Sequence, residues 1–151
     1  MAELHSNYPL TVRWTHDREG LAIASGGLPT IAVGPPPQFQ GPGGCWSPEH
    51  LFVAAAASCW MTTFAGIAAK SKLEFVSLEA ASEGFVEQGD DRRFRVSRIV
   101  LRPRIGIRRD EDRDKALRIA EKAHEVCLIS RSIASRVDLE PEIAVLAPAA
   151  V

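Results

Sequence analysis

The sequence predicts an α+β domain, and three observations predict it. Hydrophobic spacing changes along the chain from every second residue to every third or fourth and back. The stretch from Leu51 to Ala69 is apolar, small or hydroxylated at almost every position over a helical length. Strand-like segments follow one another directly, before this stretch and after it, instead of alternating with helices as a doubly wound parallel sheet demands. The expected order is a strand meander, a long buried central helix, two long strands, a second helix and a final strand.

Residues 8–33 open with YPLTVRW, GLAIASG and LPTIAV, short strand patterns parted by the polar turn HDREG, where Gly20 is expected to take the positive φ of a tight turn. Residues 34–44, GPPPQFQGPGG, hold four prolines and four glycines, which deny the backbone ladder and helix bonding and make a loop. Ser47-Pro48-Glu49 then marks a helix start. Serine caps, proline fits the first helical position, and a first-turn carboxylate complements the positive helix end. The helix that follows has no polar face, so it is expected to be buried nearly all round, a state that packing on its own symmetry mate would complete. It is long enough for a membrane span, but many alanines, three hydroxylated residues and Gly66 leave its hydrophobicity marginal, and no membrane association is expected.

Two longer strands come next, LEFVSLEAASEGFVEQ and RFRVSRIVLRPRIGI, joined by the turn GDD. In the second, Phe94 and Val96 alternate with arginines, after which Ile99, Leu101, Ile105 and Ile107 continue on the other parity; that predicts a bulge near Ser97 or Arg98. Six arginines between Arg92 and Arg104 form the polar half of this alternation and carry no interleaved aromatics, so they read as a solvated sheet face. After Asp110, the recurrence of Ala116, Ile119, Ala120, Ala123 and Cys127 defines one helical face. The tail RVDLEPEIAVL alternates enough for a last strand, which Pro141 marks as edge or broken.

With 151 residues, 46% hydrophobic and 25% charged, the chain is expected to form a single soluble domain, residues 1–151. A formal net charge of −1 gives no global field for collecting nucleic acid or anionic membrane, so neither is expected as a partner. The N-terminal MAELHSNYPL lacks the features of a secretory signal, which makes the cytoplasm the expected compartment. Three cysteines, an odd count, fit a structural disulfide framework poorly. Cys45, Cys59, Cys127 and four histidines include no Cys-x-x-Cys pair, and His124 with Cys127 is their only tight spacing, so no metal is expected. No flavin, haem or nucleotide motif occurs, and no cofactor is expected. Thiol redox chemistry asks for less: one thiolate activated by a nearby cation and a second thiol able to reach the oxidised sulfur. Cys59 and Cys127 can supply it.

Four segments carry a family resemblance along most of the chain: the HDREG turn with Arg18, the glycine-rich loop running into SPEHLF, AAAASCW with Cys59, and AHEVC with Cys127. The chain resembles the OsmC/Ohr family, the osmotically inducible protein C and organic hydroperoxide resistance proteins. The resemblance implies a thiol peroxidase in which Cys59 is peroxidatic and Cys127 resolving, with Arg18 and Glu49 as the pair that activates the thiolate and orients the peroxide. It implies an intertwined α+β homodimer with long central helices wrapped by sheets, and a dithiol reductant, lipoyl or another. Burial alone would leave a cysteine inert, so a reactive Cys59 needs a fixed positive charge. Arg18 is the expected source, with Arg13 five residues upstream as the alternative. An apolar wall favours an organic hydroperoxide, and Phe39, Trp46, Phe52, Trp60 and Phe64 are available to line it. Leu128 stands where many relatives have proline after the second cysteine, and Cys45 is an extra thiol. Glu49 and Cys59 are ten positions apart, about 15 Å along one helix, so a site using both would draw them from two antiparallel copies. A redox-silent dimer that binds a hydrophobic ligand in the same cavity is the alternative function.

Overall fold

The computed structural model describes residues 6–147. The fold divides after Leu51 into two compact units, each with its own sheet.

In the first unit, β1 (Leu10–His16), β2 (Glu19–Ala24) and β3 (Ile31–Val33) form the predicted antiparallel meander in the order β1-β2-β3. The turn differs from expectation. His16 pairs with Glu19, leaving Asp17 and Arg18 as a two-residue connection, and Asp17 takes the left-handed conformation at φ 46°. Aspartate tolerates that region. Gly20 instead lies buried within β2, where a Cβ would sit 2.7 Å from the Arg13 carbonyl oxygen; close approach of two strands, not positive φ, requires the glycine there. The proline-rich loop contains a short 3₁₀ turn at Pro37–Phe39, and Gly41 is needed because a side chain would overlap the Pro35 carbonyl. The chain then returns to the edge of β3, with Gly34 N–H donating to Trp46 O at 3.0 Å and Trp46 N–H to Ala32 O at 3.1 Å.

Helix α1 (Pro48–Lys70) begins where the cap signal predicts. The Ser47 hydroxyl accepts from His50 N–H at 3.2 Å, and His50 Nδ1 accepts from Ser47 N–H at 3.4 Å. This is a capping box with histidine in the position usually held by Glu or Gln. Within the second unit only the stripe Ala56, Trp60, Phe64 and Ala68 is fully buried. Ser58, Met61, Thr62, Gly66 and Ala69 are exposed, so burial all round does not occur in one chain. A helix without a polar face does not mark which side turns inward, and a single chain has one sheet to cover it.

β4 (Phe75–Gln88) and β5 (Phe94–Ile107) pair antiparallel, and the bulge falls as predicted: Phe85 faces Arg98 and Val86 faces Val96, which leaves Ser97 as the extra residue. The parity change sends Ile99, Leu101, Ile105 and Ile107 into the core. The last strand is broken at Pro141 into β6 (Arg136–Leu139) and β7 (Glu142–Val145), both parallel to β5 in one register. Leu101 pairs with Leu139 and Arg104 with Glu142, so Pro103 and Pro141 meet at the same step, in the gap where neither is asked to donate to a ladder. Helix α2 (Arg113–Val126) buries Ala116, Ile119, Ala120 and Ala123, and Cys127 ends that stripe fully buried. A five-residue helix, α3 (Leu128–Ser132), follows at once and has no counterpart in the sequence prediction. The arginines of β5 behave as a solvated face: Arg95 pairs with Asp91 at 2.9 Å, Arg102 with Glu83 and Glu140 at 3.1 and 3.0 Å, and Arg98 lies over the Phe85 ring.

The capping box makes a direct prediction. Ser47→Ala should lower unfolding stability in urea by about 1 kcal/mol, and His50→Gln should retain more of it than His50→Ala, because glutamine can still accept from the Ser47 amide.

Candidate functional site

The second unit brings the two predicted thiols together. Cys59 is half-buried near the middle of α1, and its neighbour Trp60 donates from Nε1 to the Ala120 carbonyl at 3.2 Å, which ties α1 to α2 beside the sulfur. Cys127 lies where α2 ends. Its φ of −59° and ψ of 117° break the helix, and Arg131 N–H donates to Cys127 O at 3.1 Å to begin the next turn. The first amides of a helix have no partner within it. Here the N–H groups of Leu128 and Ile129 donate to the Cys59 sulfur.

Electrostatics at Cys59 are a contest between burial and donors. Burial, the largest single influence, pushes the thiol pKa up; the Ile129 N–H, the Cys127 thiol, the Leu128 N–H and the Thr63 hydroxyl each pull it down and together prevail, holding Cys59 below the ordinary cysteine value. Cys127 in turn accepts from the Ser130 hydroxyl at 3.3 Å. Sequence reasoning missed these donors. Main-chain amides have no residue signature, Thr63 reads as one more small residue of an apolar helix, and Leu-Ile-Ser-Arg-Ser announces no helix start. The one available signal was the spacing of Thr63 four residues after Cys59 and Ser130 three after Cys127, each a single helical turn.

In the first unit, Val12, Trp14, Arg18, Val33, Phe39 and Glu49 help to line a cavity of about 460 Å³. Arg18 Nη1 donates to the Phe39 carbonyl at 2.8 Å. Glu49 Oε2 is buried and without a hydrogen-bond partner, and no ion pair among the described residues joins it to Arg18. Arg13, the alternative cation, sits in β1 opposite Leu21 and is not part of this lining, so Arg18 is the arginine of the cavity.

The five aromatic residues expected to line a pocket have different surroundings within their own units. Phe39 lines the first-unit cavity, while Trp46 is 51% exposed and meets the His50 ring edge-on at 6.3 Å. Phe52 borders a separate groove of about 470 Å³ with Arg95, Val96, Ser97, Ile133 and Ser135. Trp60 and Phe64 are both fully buried and stack on each other at 5.3 Å, because they belong to the inward stripe of α1. Cys45 is a free, half-buried thiol packed toward Gly34. Among the described residues no group of three or more His, Cys, Asp or Glu converges to hold a metal ion.

Comparison with known proteins places these features in a family. The uncharacterized protein YmaD of Bacillus subtilis is 30% identical over 148 residues, which covers 96% of this chain and 97% of that protein. An organic hydroperoxide resistance protein of Xanthomonas axonopodis pv. citri is 28% identical over 130 residues, 83% of this chain and 86% of that one. Among solved structures, an OsmC-like protein of unknown function from Vibrio cholerae matches with a TM-score of 0.81 at 23% identity, over 91% of this chain and 99% of that one. An organic hydroperoxide resistance protein OsmC from Legionella pneumophila matches at 0.75 and 24%, over 95% of this chain and all of that one; at such identities the likeness is one of fold. Residues 41–142, which hold the helix cap, both thiols and the whole of the second sheet's long hairpin, match the model of the OsmC-like proteins, and the chain belongs to that family.

Proposed function

We propose that the protein is a thiol-dependent peroxidase that reduces organic hydroperoxides. The observation that carries this reading is a thiol held below its ordinary pKa in hydrogen-bond contact with a second, buried thiol. The Cys59 thiolate attacks the distal peroxide oxygen; the O–O bond breaks, the alkoxide leaves as alcohol after taking a proton, and Cys59 becomes a sulfenic acid. Cys127 then displaces hydroxide from that sulfur to form the disulfide, and a dithiol, of lipoyl or similar type, returns both cysteines to thiols. Relatives named for organic hydroperoxide resistance support the substrate class.

Arg18 and Glu49 are proposed to activate Cys59 across a homodimer. The exposed small residues Ser58, Thr62, Gly66 and Ala69 of α1 would let a second copy of the helix approach closely, and Leu10, Val12 and Trp14 leave apolar side chains of β1 uncovered as well. Antiparallel packing of two α1 helices would then bring Glu49 of one chain near Cys59 of the other.

Cys59→Ser should abolish consumption of cumene hydroperoxide, while Cys127→Ser should consume one equivalent and stop with sulfenic acid at Cys59. Peroxide loss followed colorimetrically and dimedone capture read by mass spectrometry check both. Peroxide consumption equal to wild type in Cys59→Ser, or none in wild type, would favour the ligand-binding alternative.

Arg18→Ala should shift alkylation of Cys59 to higher pH and slow its oxidation by a factor on the order of tens to thousands. Since the donors favour the thiolate, the wild-type alkylation rate should hold to a pH below that of a free cysteine and decline only as pH falls through the lowered pKa of Cys59. An unchanged profile in Arg18→Ala would remove Arg18 from the site.

Complementation tests the composite arrangement. Cys59→Ser chains mixed with Glu49→Ala chains should regain activity, because a mixed dimer places both lesions in one site and leaves the other whole. Activity that stays at the level of the separate variants, with mixed dimers confirmed by native mass spectrometry, would show that each chain uses its own Glu49.

A further inference from the structure

The Ser130 hydroxyl has a partner that a helical serine seldom chooses. Ser58, Thr62 and Ser132 all bond back to the carbonyl four residues earlier, at 2.6, 3.0 and 2.8 Å. This is the usual choice of a hydroxyl inside a helix. Ser130, in the first turn of α3, turns instead to the Cys127 sulfur at 3.3 Å. The break at Cys127 makes this possible, since an extended residue at the helix entrance presents its side chain to the residue three positions on. Cys127 is 0% exposed, so water cannot solvate charge on its sulfur. The main-chain amides of Leu128 and Ile129 are directed to Cys59.

We propose that Ser130 is the hydrogen-bond donor that holds and stabilises the Cys127 sulfur while it acts as the resolving nucleophile, an inference that rests on the peroxidase reading. In the step concerned, the Cys127 sulfur supplies the electron pair of the new S–S bond and gives its proton to the hydroxide that departs. The S–O bond of the Cys59 sulfenic acid breaks, and the departing hydroxide takes up a proton and leaves as water. Ser130 keeps its own proton throughout. Its hydrogen bond is strongest while Cys127 bears negative charge and weakens once the disulfide has closed. The same donor acts in the reverse sense when a reductant attacks Cys59 and Cys127 is the leaving sulfur.

The test compares wild type, Ser130→Ala and Ser130→Thr, all carrying Cys45→Ser so that the third thiol does not compete. Each reduced protein receives one equivalent of cumene hydroperoxide. Sulfenic acid is followed by dimedone capture and the disulfide by loss of free thiols. Ser130→Ala should still consume its one equivalent, but disulfide closure should slow on the order of ten- to a hundredfold, the effect of losing a hydrogen bond to a charged group. Ser130→Thr, which keeps a hydroxyl at the same position, should restore most of the rate. A parallel arm uses diamide, which adds Cys59 across its N=N bond to give a sulfenyl hydrazide that Cys127 displaces to form the same disulfide. Wild type that ignores peroxide, with Ser130→Ala slow in diamide, would overturn the peroxidase reading and keep Ser130 in its role. Unchanged closure in Ser130→Ala in the diamide arm, or slowing that threonine does not relieve, would overturn the proposal for Ser130.

Discussion

The set of donors gathered at the half-buried Cys59 sulfur is the constraint around which the second unit is built. Removing Cys59 from water favours its neutral form, and that cost is met by donors fixed by the fold: two amides, a thiol and a hydroxyl. The amides are free only because α2 stops at Cys127 and α3 begins at the next residue. A helix that ran on through residues 127 to 130 would spend those N–H groups on its own carbonyls. The local break is therefore as much a part of the site as either cysteine.

Everything that holds this break against Cys59 is ordinary packing. The inward stripes of α1 and α2 are largely alanine, which lets the helices approach the sheet and each other, and Trp60 bonds the Ala120 carbonyl one residue from Cys59. Trp60 and Phe64 serve as core, and the bulge at Ser97 turns the apolar residues of β5 toward them. The first-unit cavity lined by Arg18 and Glu49 has an apolar rim and one buried carboxylate oxygen without a hydrogen-bond partner.

Helix α1 shows why composition and burial must be kept apart. Its residues have the length and hydropathy of a membrane span, yet one face alone is closed within the chain. The exposed positions of this apolar helix include the small residues Ser58, Gly66 and Ala69.

How much was legible beforehand depended on whether the information was local. The cap at Ser47-Pro48-Glu49, the parity change at Ser97, the stripe that ends in Cys127 and the break at Pro141 all arise from a few adjacent residues, and each was found where the sequence placed it. The HDREG turn was read correctly as a turn but with the wrong residue at positive φ, because which residue bends depends on the pairing of His16 with Glu19 across it. The sequence by itself determined the order of elements, the two thiols of interest and the membership of a family. Tertiary structure alone decided which side of α1 turns inward, that Trp60 and Phe64 stack as core while Phe39 lines a cavity and Trp46 stays exposed, and that the donors to Cys59 and Cys127 come from Thr63, Ser130 and the main chain. The physical reason is that periodicity is written in neighbouring side chains, whereas the partners of a buried sulfur are chosen by chain direction at a helix break, and every residue carries the same amide.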